Sequence, residues 1–402
     1  MIKIINKTEC CGCEACASKC PKSAISMNED VEGFFYPKVN VETCVDCGIC
    51  DKVCPMSNSS IKNPILSSYA LQASDEIRRY SASGGAFYSI ASQTILHGGI
   101  VFGAAYDENY IVHHTVAKTL DELKPLCMSK YVQSHIENTY IDIKKYLNDG
   151  FEVCFCGTPC QCSGLKNYLG KDYDKLIIVD LVCHGVPSQK VWKKYVPTMT
   201  ERYGAYRFEF RNKDFGYNNS GMMIETSNEK LYANKTQAND IRFMSKAFFE
   251  HIDIRPSCHD CKFKDTARIS DITIGDLWHI DKYSKEMNDN KGTTFVAVHT
   301  PKGMHIIDSL NNVKLININF KDYLKDDGVS MINSMSSHPK RQIFFEKLDN
   351  EDIDQLFSEF LITKENKSKE KLKSLLSALG VLHLVQRLNY KRKQYMYRKN
   401  LK

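Results

Sequence analysis

Hydrophobic and polar positions change period several times along the chain, and each change predicts an element. Phe87, Ile90, Ala91 and Ile95 recur at roughly 3.6-residue spacing, which predicts a helix after the small-residue turn Ser81–Gly85. Apolar runs at Ile100–Tyr106 and Ile111–Val116 predict strands. A helix over Asn138–Asn148 follows, then a strand at Phe151–Cys156, a helix from Pro159, a strand at Leu176–Val182 and a helix over Ser188–Arg202. This alternation predicts a partly parallel, layered α/β core. Ala205–Arg211 and Gly221–Thr226 read as an antiparallel pair, Asp271–Gly275 and Thr294–Val298 as further strands, and residues 330–402 as mainly helical.

Composition adds limits. The 402 residues are 43% hydrophobic and 25% charged, enough for two or three cores. No run approaches the roughly 18 apolar residues of a membrane span, and the first ten residues lack an apolar export core. The net charge of +6 is local: residues 364–402 hold twelve Lys/Arg against two Asp/Glu, a charge of +10, which leaves the rest at −4. A basic body that wraps nucleic acid is excluded. Leu372, Leu375, Leu376, Leu379, Leu382 and Val385 form an apolar stripe in this tail. Three fates stay open for it: packing on the body or a partner, peripheral contact with an anionic membrane, or a solvated end.

The 17 cysteines change the picture most, and nine precede Met56. At roughly 4% they fall below the density of a small disulfide scaffold, so reduced thiols that bind metal or clusters are expected. Cys10, Cys13, Cys16 and Cys20 have C-x2-C-x2-C-x3-C-P spacing, and Cys44, Cys47, Cys50 and Cys54 repeat it. Three cysteines on a tight loop reach three corners of one cubane, and the fourth, held before proline, reaches the other cluster. One 4Fe–4S cluster is therefore expected on Cys10, Cys13, Cys16 and Cys54, and a second on Cys44, Cys47, Cys50 and Cys20. Gly12 and Gly48 let the loops approach the sulfides. Zinc is the competing ligand for paired CxxC motifs. Cys11 lies outside the pattern. The module resembles bacterial two-cluster ferredoxins.

Eight cysteines remain in the body. Cys127 reads as a small core residue. In Cys154–Gln161 a strand ends, Gly157 turns, and Thr158 to Gln161 spells a capping box with Pro159 at the first helical position. Cys160 then falls in a first helical turn, where a lowered thiol pKa is expected. Cys183 ends a second strand, and Cys258 and Cys261 form a CxxC loop. If the strands are parallel, Cys160 and Cys183 share a carboxyl edge, and Cys160, Cys183, Cys258 and Cys261 together suit a third 4Fe–4S cluster. Zinc with His259, a dithiol among Cys154, Cys156 and Cys160, and a simple core role for Cys183 stay open.

SASGGAF (81–87), SKYVQS (129–134), FCGTPCQ (155–161), LVCHGVPS (181–188), FRNKDFGY (210–217) and CKFKDTARISDITIGDLW (261–278) occur in this order. Over about residues 65–330 the chain resembles the coenzyme F-420 hydrogenase/dehydrogenase beta-subunit family, to which the plant 7-hydroxymethyl-chlorophyll reductases are related. The resemblance implies FAD and a 4Fe–4S cluster, and electron passage between iron–sulfur centres and a two-electron partner. Ser81, Ser83, Gly84 and Gly85 precede a helix and suit a pyrophosphate. An ordinary helix start is the alternative. Lys130 suits a reduced flavin or a phosphate, with a solvated lysine as the alternative; Arg211 and Lys213 suit an anionic substrate; Asp276 and Trp278 follow a strand end, where Trp278 suits stacking on the cofactor ring or a structural role.

The expected fold class is a multidomain α+β and α/β chain. It joins a small ferredoxin-like two-cluster module, 1–58, to a mixed-sheet α/β flavin-binding body, 65–150 and 151–330, and a helical C-terminal extension, 331–402, with a polar linker at Ser57–Pro64. The expected function is an iron–sulfur flavoprotein oxidoreductase, its catalytic residues and substrate unassigned, between ferredoxin or another low-potential donor and a small-molecule or deazaflavin acceptor. The alternative is an electron-relay subunit that serves a partner enzyme. A cytoplasmic place is expected, with peripheral contact at the inner membrane face as the variant, and no nucleic-acid partner.

Overall fold

The computed structural model describes residues 1–58 and 61–362. The basic tail and its apolar stripe lie outside the described residues. At the N-terminal end, helices Ala15–Lys19 and Ile49–Val53 pack together beside a hairpin of β1 (Ile25–Glu29) and β2 (Phe35–Val39). Each helix starts from a left-handed residue, Glu14 (φ 62°) or Gly48 (φ 68°), which bends the cysteine loop back on itself.

The body is built on an eight-stranded mixed sheet. In chain order its strands are β3 (Ser67–Gln72), β4 (Ile100–Tyr106), β5 (Val112–Ala117), β6 (Val153–Gly157), β7 (Leu176–Leu181), β11 (Ile272–Asp276), β12 (Thr294–Val298) and β13 (Lys314–Asn317). The spatial order is β13-β3-β12-β11-β7-β6-β4-β5. β11, β7, β6 and β4 run parallel. β12 is antiparallel to both β11 and β3, so β3 points the same way as the parallel set. Five strand ends, and the loops after them, therefore meet on one edge. β8 (Arg207–Asn212), β9 (Gly221–Glu225) and β10 (Lys230–Tyr232) form a separate antiparallel sheet.

Both faces of the large sheet are covered, which explains runs such as Leu-Ile-Ile-Val in β7. Val153, Phe155, Leu176 and Ile178 pack toward helices Thr139–Asn148 and Pro159–Leu169. Cys154, Ile177 and Val179 face helices Ala86–Leu96 and Pro301–Asp308. The N-terminal module shares the first of these cores through Ile2, Cys13, Ala15, Ile25, Val53 and Met56. Polar clamps add to the seam. Arg341 holds Glu32 through two bonds of 2.9 and 2.8 Å, Lys193 pairs with Glu29 at 2.9 Å, and Glu14 accepts the Glu137 N–H at 2.9 Å.

The alternating core elements fall where the hydrophobic pattern predicts them. The pattern does not predict β3, β13 or the β1–β2 hairpin. β3 carries buried polar residues that only distant partners satisfy. Ser68 donates to the Ile318 carbonyl at 2.8 Å, and Gln72 donates to the Met287 carbonyl and to Thr293 Oγ1 at 2.6 and 2.8 Å.

Candidate iron–sulfur and cofactor site

The two halves of the cysteine repeat bring together two groups of four sulfurs. Cys20, Cys44, Cys47 and Cys50 line one cavity with Ile25 and Val39, and Cys47 is exposed. Cys10, Cys13, Cys16 and Cys54 are grouped one step further in, with Cys13 and Cys16 buried. Burial, then the neighbouring Cys10 and Cys54, push the Cys16 thiol up. Crowded thiols of this kind lose their protons to a bound cluster. Backbone N–H groups already reach three sulfurs: Ile2 to Cys50 at 3.2 Å, Ala24 to Cys20 at 3.3 Å and Gly12 to Cys10 at 3.4 Å.

A further cavity is lined by Cys160, Cys183, Cys258 and Cys261 together with Cys11. β6 and β7 are parallel, so Cys160 and Cys183 do leave the sheet on one edge, and the short turn Pro256–Cys258 brings the CxxC loop to them. The thiols ring a space instead of converging on a point. Among the described residues, no group of three or more His, Cys, Asp or Glu could hold a single metal ion. Gln161 accepts the Thr158 N–H at 3.1 Å, as the capping box requires. The lowered pKa expected for Cys160 is not found. The adjacent Cys11 thiol and burial push it well up, and they outweigh the helix end. Burial likewise pushes Cys183 up to about 12.

A large cavity, about 500 Å³, lies over the carboxyl edge, where open α/β sheets take ligands. Gly157, Leu181 and Gly275–Asp276 contribute from the ends of β6, β7 and β11. Ser81, Ser83, Gly85, Lys130, Asp276 and Trp278 all line it. Gly84 does not: it packs under the sheet, where an added Cβ would run into the Leu71 carbonyl, and its N–H goes to Thr294 Oγ1. The hydroxyls of Ser81 and Ser83 donate to the Ile77 and Thr293 carbonyls at 2.9 and 2.6 Å. Each hydroxyl has a single proton, so a phosphate here would meet backbone N–H groups at the start of helix Ala86–Leu96. Lys130 donates to the Pro125 and Met128 carbonyls, and burial lowers its pKa to about 8.

Other residues depart from expectation. Arg211 is not free for an anionic substrate. It grips Asp276 with two bonds of 2.6 and 3.1 Å, and Tyr217 donates to the same carboxylate at 2.8 Å. Lys213 serves the backbone, donating to the carbonyls of Arg78, Ser83 and Lys291. Trp278 stacks on Tyr217, with centroids 4.2 Å apart, so one of its faces is taken. Cys11, outside the ligand pattern, is buried at the seam. Its thiol lies within hydrogen-bonding reach of both Cys13 and Cys160, and it lines the cysteine-ringed and the large cavity alike. Sequence reasoning missed His114 and Tyr131. His114 lies beside Ser134 Oγ at 2.8 Å and the Cys156 carbonyl at 3.0 Å, and burial lowers its pKa to about 4. Its place beside His113 in the short strand β5 carries no signal of that role.

Residues 9–58 match the 4Fe-4S dicluster domain family, and residues 151–322 match the family described as the C terminus of the coenzyme F420 hydrogenase/dehydrogenase beta subunit. No curated protein matches the chain. Among solved structures, a chain of the F420-reducing NiFe hydrogenase complex from Methanosarcina barkeri is similar at 16% identity and a TM-score of 0.42, covering 78% of this chain and 94% of that one. Among the described residues, no helix is long and apolar enough to cross a membrane. The chain is thus an iron–sulfur electron-transfer protein that joins a 4Fe–4S dicluster domain to the C-terminal region typical of a coenzyme F420 hydrogenase/dehydrogenase beta subunit.

Proposed function

We propose that the chain is an iron–sulfur flavoprotein oxidoreductase with a third 4Fe–4S cluster and FAD in the body. The supporting observation is a shared wall: Cys11, Cys160, Cys183, His184, Gly185 and Val186 line both the cysteine-ringed cavity and the large cavity. A one-electron centre and a two-electron cofactor would then be in contact. The four ring thiols have the soft donor chemistry of a cluster site. The large cavity offers a helix start at Gly85–Ala86, the amine of Lys130 and an open sheet edge. A flavin held there would supply the exchange between single electrons and pairs.

In this reading the residues have separate tasks. Cys20, Cys44, Cys47 and Cys50 form the outer end, open to a low-potential donor such as ferredoxin at the exposed Cys47. Cys10, Cys13, Cys16 and Cys54 form the inner station. Lys130, with its lowered pKa, is suited to hold or give up a proton near neutral pH. Arg211 and Asp276 line the same cavity, braced by Tyr217. The electron-relay alternative rests on the name of the matched family, that of a beta subunit of a larger enzyme.

The test is anaerobic purification with quantitation of iron and flavin, then reduction by a low-potential donor. About twelve irons and one flavin per chain are expected, with turnover of a small-molecule or deazaflavin acceptor by the chain alone. Absence of flavin sinks the proposal, and turnover only with a second polypeptide selects the relay.

A further inference from the structure

Arg255 is fully buried at the junction of module and body. Every arm of its guanidinium is engaged. Nε donates to the Cys10 carbonyl at 2.9 Å, Nη1 to Gln133 Oε1 at 2.9 Å and Nη2 to the Phe35 carbonyl at 3.0 Å. The group also lies 4.5 Å from the centre of the Tyr36 ring. All of these partners are formally neutral, and among the described residues no carboxylate lies within ion-pair distance of it. A buried cation without a counter-charge is strongly disfavoured. The nearby groups that would become negative on binding a cluster are the cysteine sulfurs. The Cys10 thiol is within hydrogen-bonding reach of Arg255, and Arg255 also acts electrostatically on Cys160. Burial opposes the charge of Arg255, while Cys10, Tyr36, Cys11 and Cys258 more than offset this, so its net pKa shift is upward.

We infer that Arg255 is the shared counter-ion of the two inner clusters, the one on Cys10, Cys13, Cys16 and Cys54 and the one on Cys160, Cys183, Cys258 and Cys261. The inference rests on the third cluster proposed above. A cubane held by four thiolates is anionic and gains a further negative charge on reduction. A fixed cation beside it therefore stabilises the reduced form and raises the potential. The outer cluster, ringed by Cys20, Cys44, Cys47 and Cys50, has no such contact with Arg255, so the charge tilts the chain of centres toward the body. Arg255 touches ligand loops and not reacting atoms, so it is a positioning residue.

The experiment is an EPR-monitored redox titration of the anaerobic full chain with Arg255→Gln, Arg255→Lys and Gln133→Glu. Arg255→Gln should lower both inner potentials by at least a tenfold change in the one-electron equilibrium, 59 mV for n = 1, and leave the outer cluster in place. Arg255→Lys should keep all three potentials within that tenfold limit. Gln133→Glu keeps the guanidinium and sets a carboxylate on Nη1. It should lower the inner potentials even if Arg255→Gln fails to fold. Unchanged inner potentials in Gln133→Glu, or an equal fall in all three clusters, overturns the inference. Wild-type protein with only two cubanes overturns the third-cluster reading and the sharing. The effect on the Cys10–Cys54 cluster is then still measured by the same titration.

Discussion

The two halves of the cysteine repeat share their cysteine spacing and a left-handed residue at the helix start, yet they have different surroundings. Gly12 and Gly48, one in each loop although at different positions of the repeat, both adopt φ near +68°. A Cβ added at Gly12 would run into Gln133 Nε2 and meet Arg255 Nη1 at 2.7 Å, whereas one added at Gly48 would meet nothing within 4 Å. The loop of the first half is pressed into the body, whereas residues 45–47 of the second half are exposed. The cysteine spacing makes each half competent for a cluster. Only the docking gives the pair an inner and an outer end.

The strongest way to break this contrast is to remove the site the inner half is docked against. Cys160→Ser or Cys258→Ser should cost about four of the roughly twelve irons and leave the module's two clusters, by iron analysis and EPR of anaerobic protein. An unchanged iron content would mean that the body thiols hold no cluster.

The glycines sharpen it next. Gly12→Ala should destabilise by about 2–5 kcal/mol, from left-handed strain plus overpacking against Gln133 and Arg255. Gly48→Ala should cost only the strain, about 1–2 kcal/mol. Denaturant unfolding under argon checks the difference, and equal losses would contradict the docking.

Acid separates module from body. Residues 1–58 contain no histidine, while the buried His114 and His299 of the body have pKa values lowered by burial to about 4. The unfolded chain takes up protons below about pH 6.5 that the folded chain refuses, so stability falls with pH through this window. Each histidine should cost about 2 kcal/mol between pH 7 and 5. His114→Gln should flatten that slope.

The smallest effect is expected at the seam's rim. Lys193 and Glu29 are both partly exposed, so Lys193→Ala should change stability by less than about 1 kcal/mol and leave every cluster potential unmoved.

The contrast also shows why some features were legible in the chain and others were not. The module's ligands are within reach of each other along a short loop, so spacing alone restricts what they bind. Cys160 and Cys183 were legible one step later, because a strand–helix alternation implies parallel strands with a common edge. Arg255 gave no signal: it lies three residues before Cys258, but the carbonyl it holds is 245 positions away. Gly84 and Lys213 show the opposite failure. Their motifs looked like ligand cradles, yet the close approach of Leu71 and the carbonyls of Arg78, Ser83 and Lys291 claim them.

The sequence by itself determined the doubled cysteine spacing of the module, the alternating α/β core and the helix start at Pro159, because each depends on residues within one loop or one period of the chain. Tertiary structure alone decided that Cys11 bridges two sulfur sites, that Arg211 is tied to Asp276, and that an unpaired cation lies between module and body. Those contacts join positions 65 to 245 residues apart, and no local spacing encodes which distant surfaces will exclude water together.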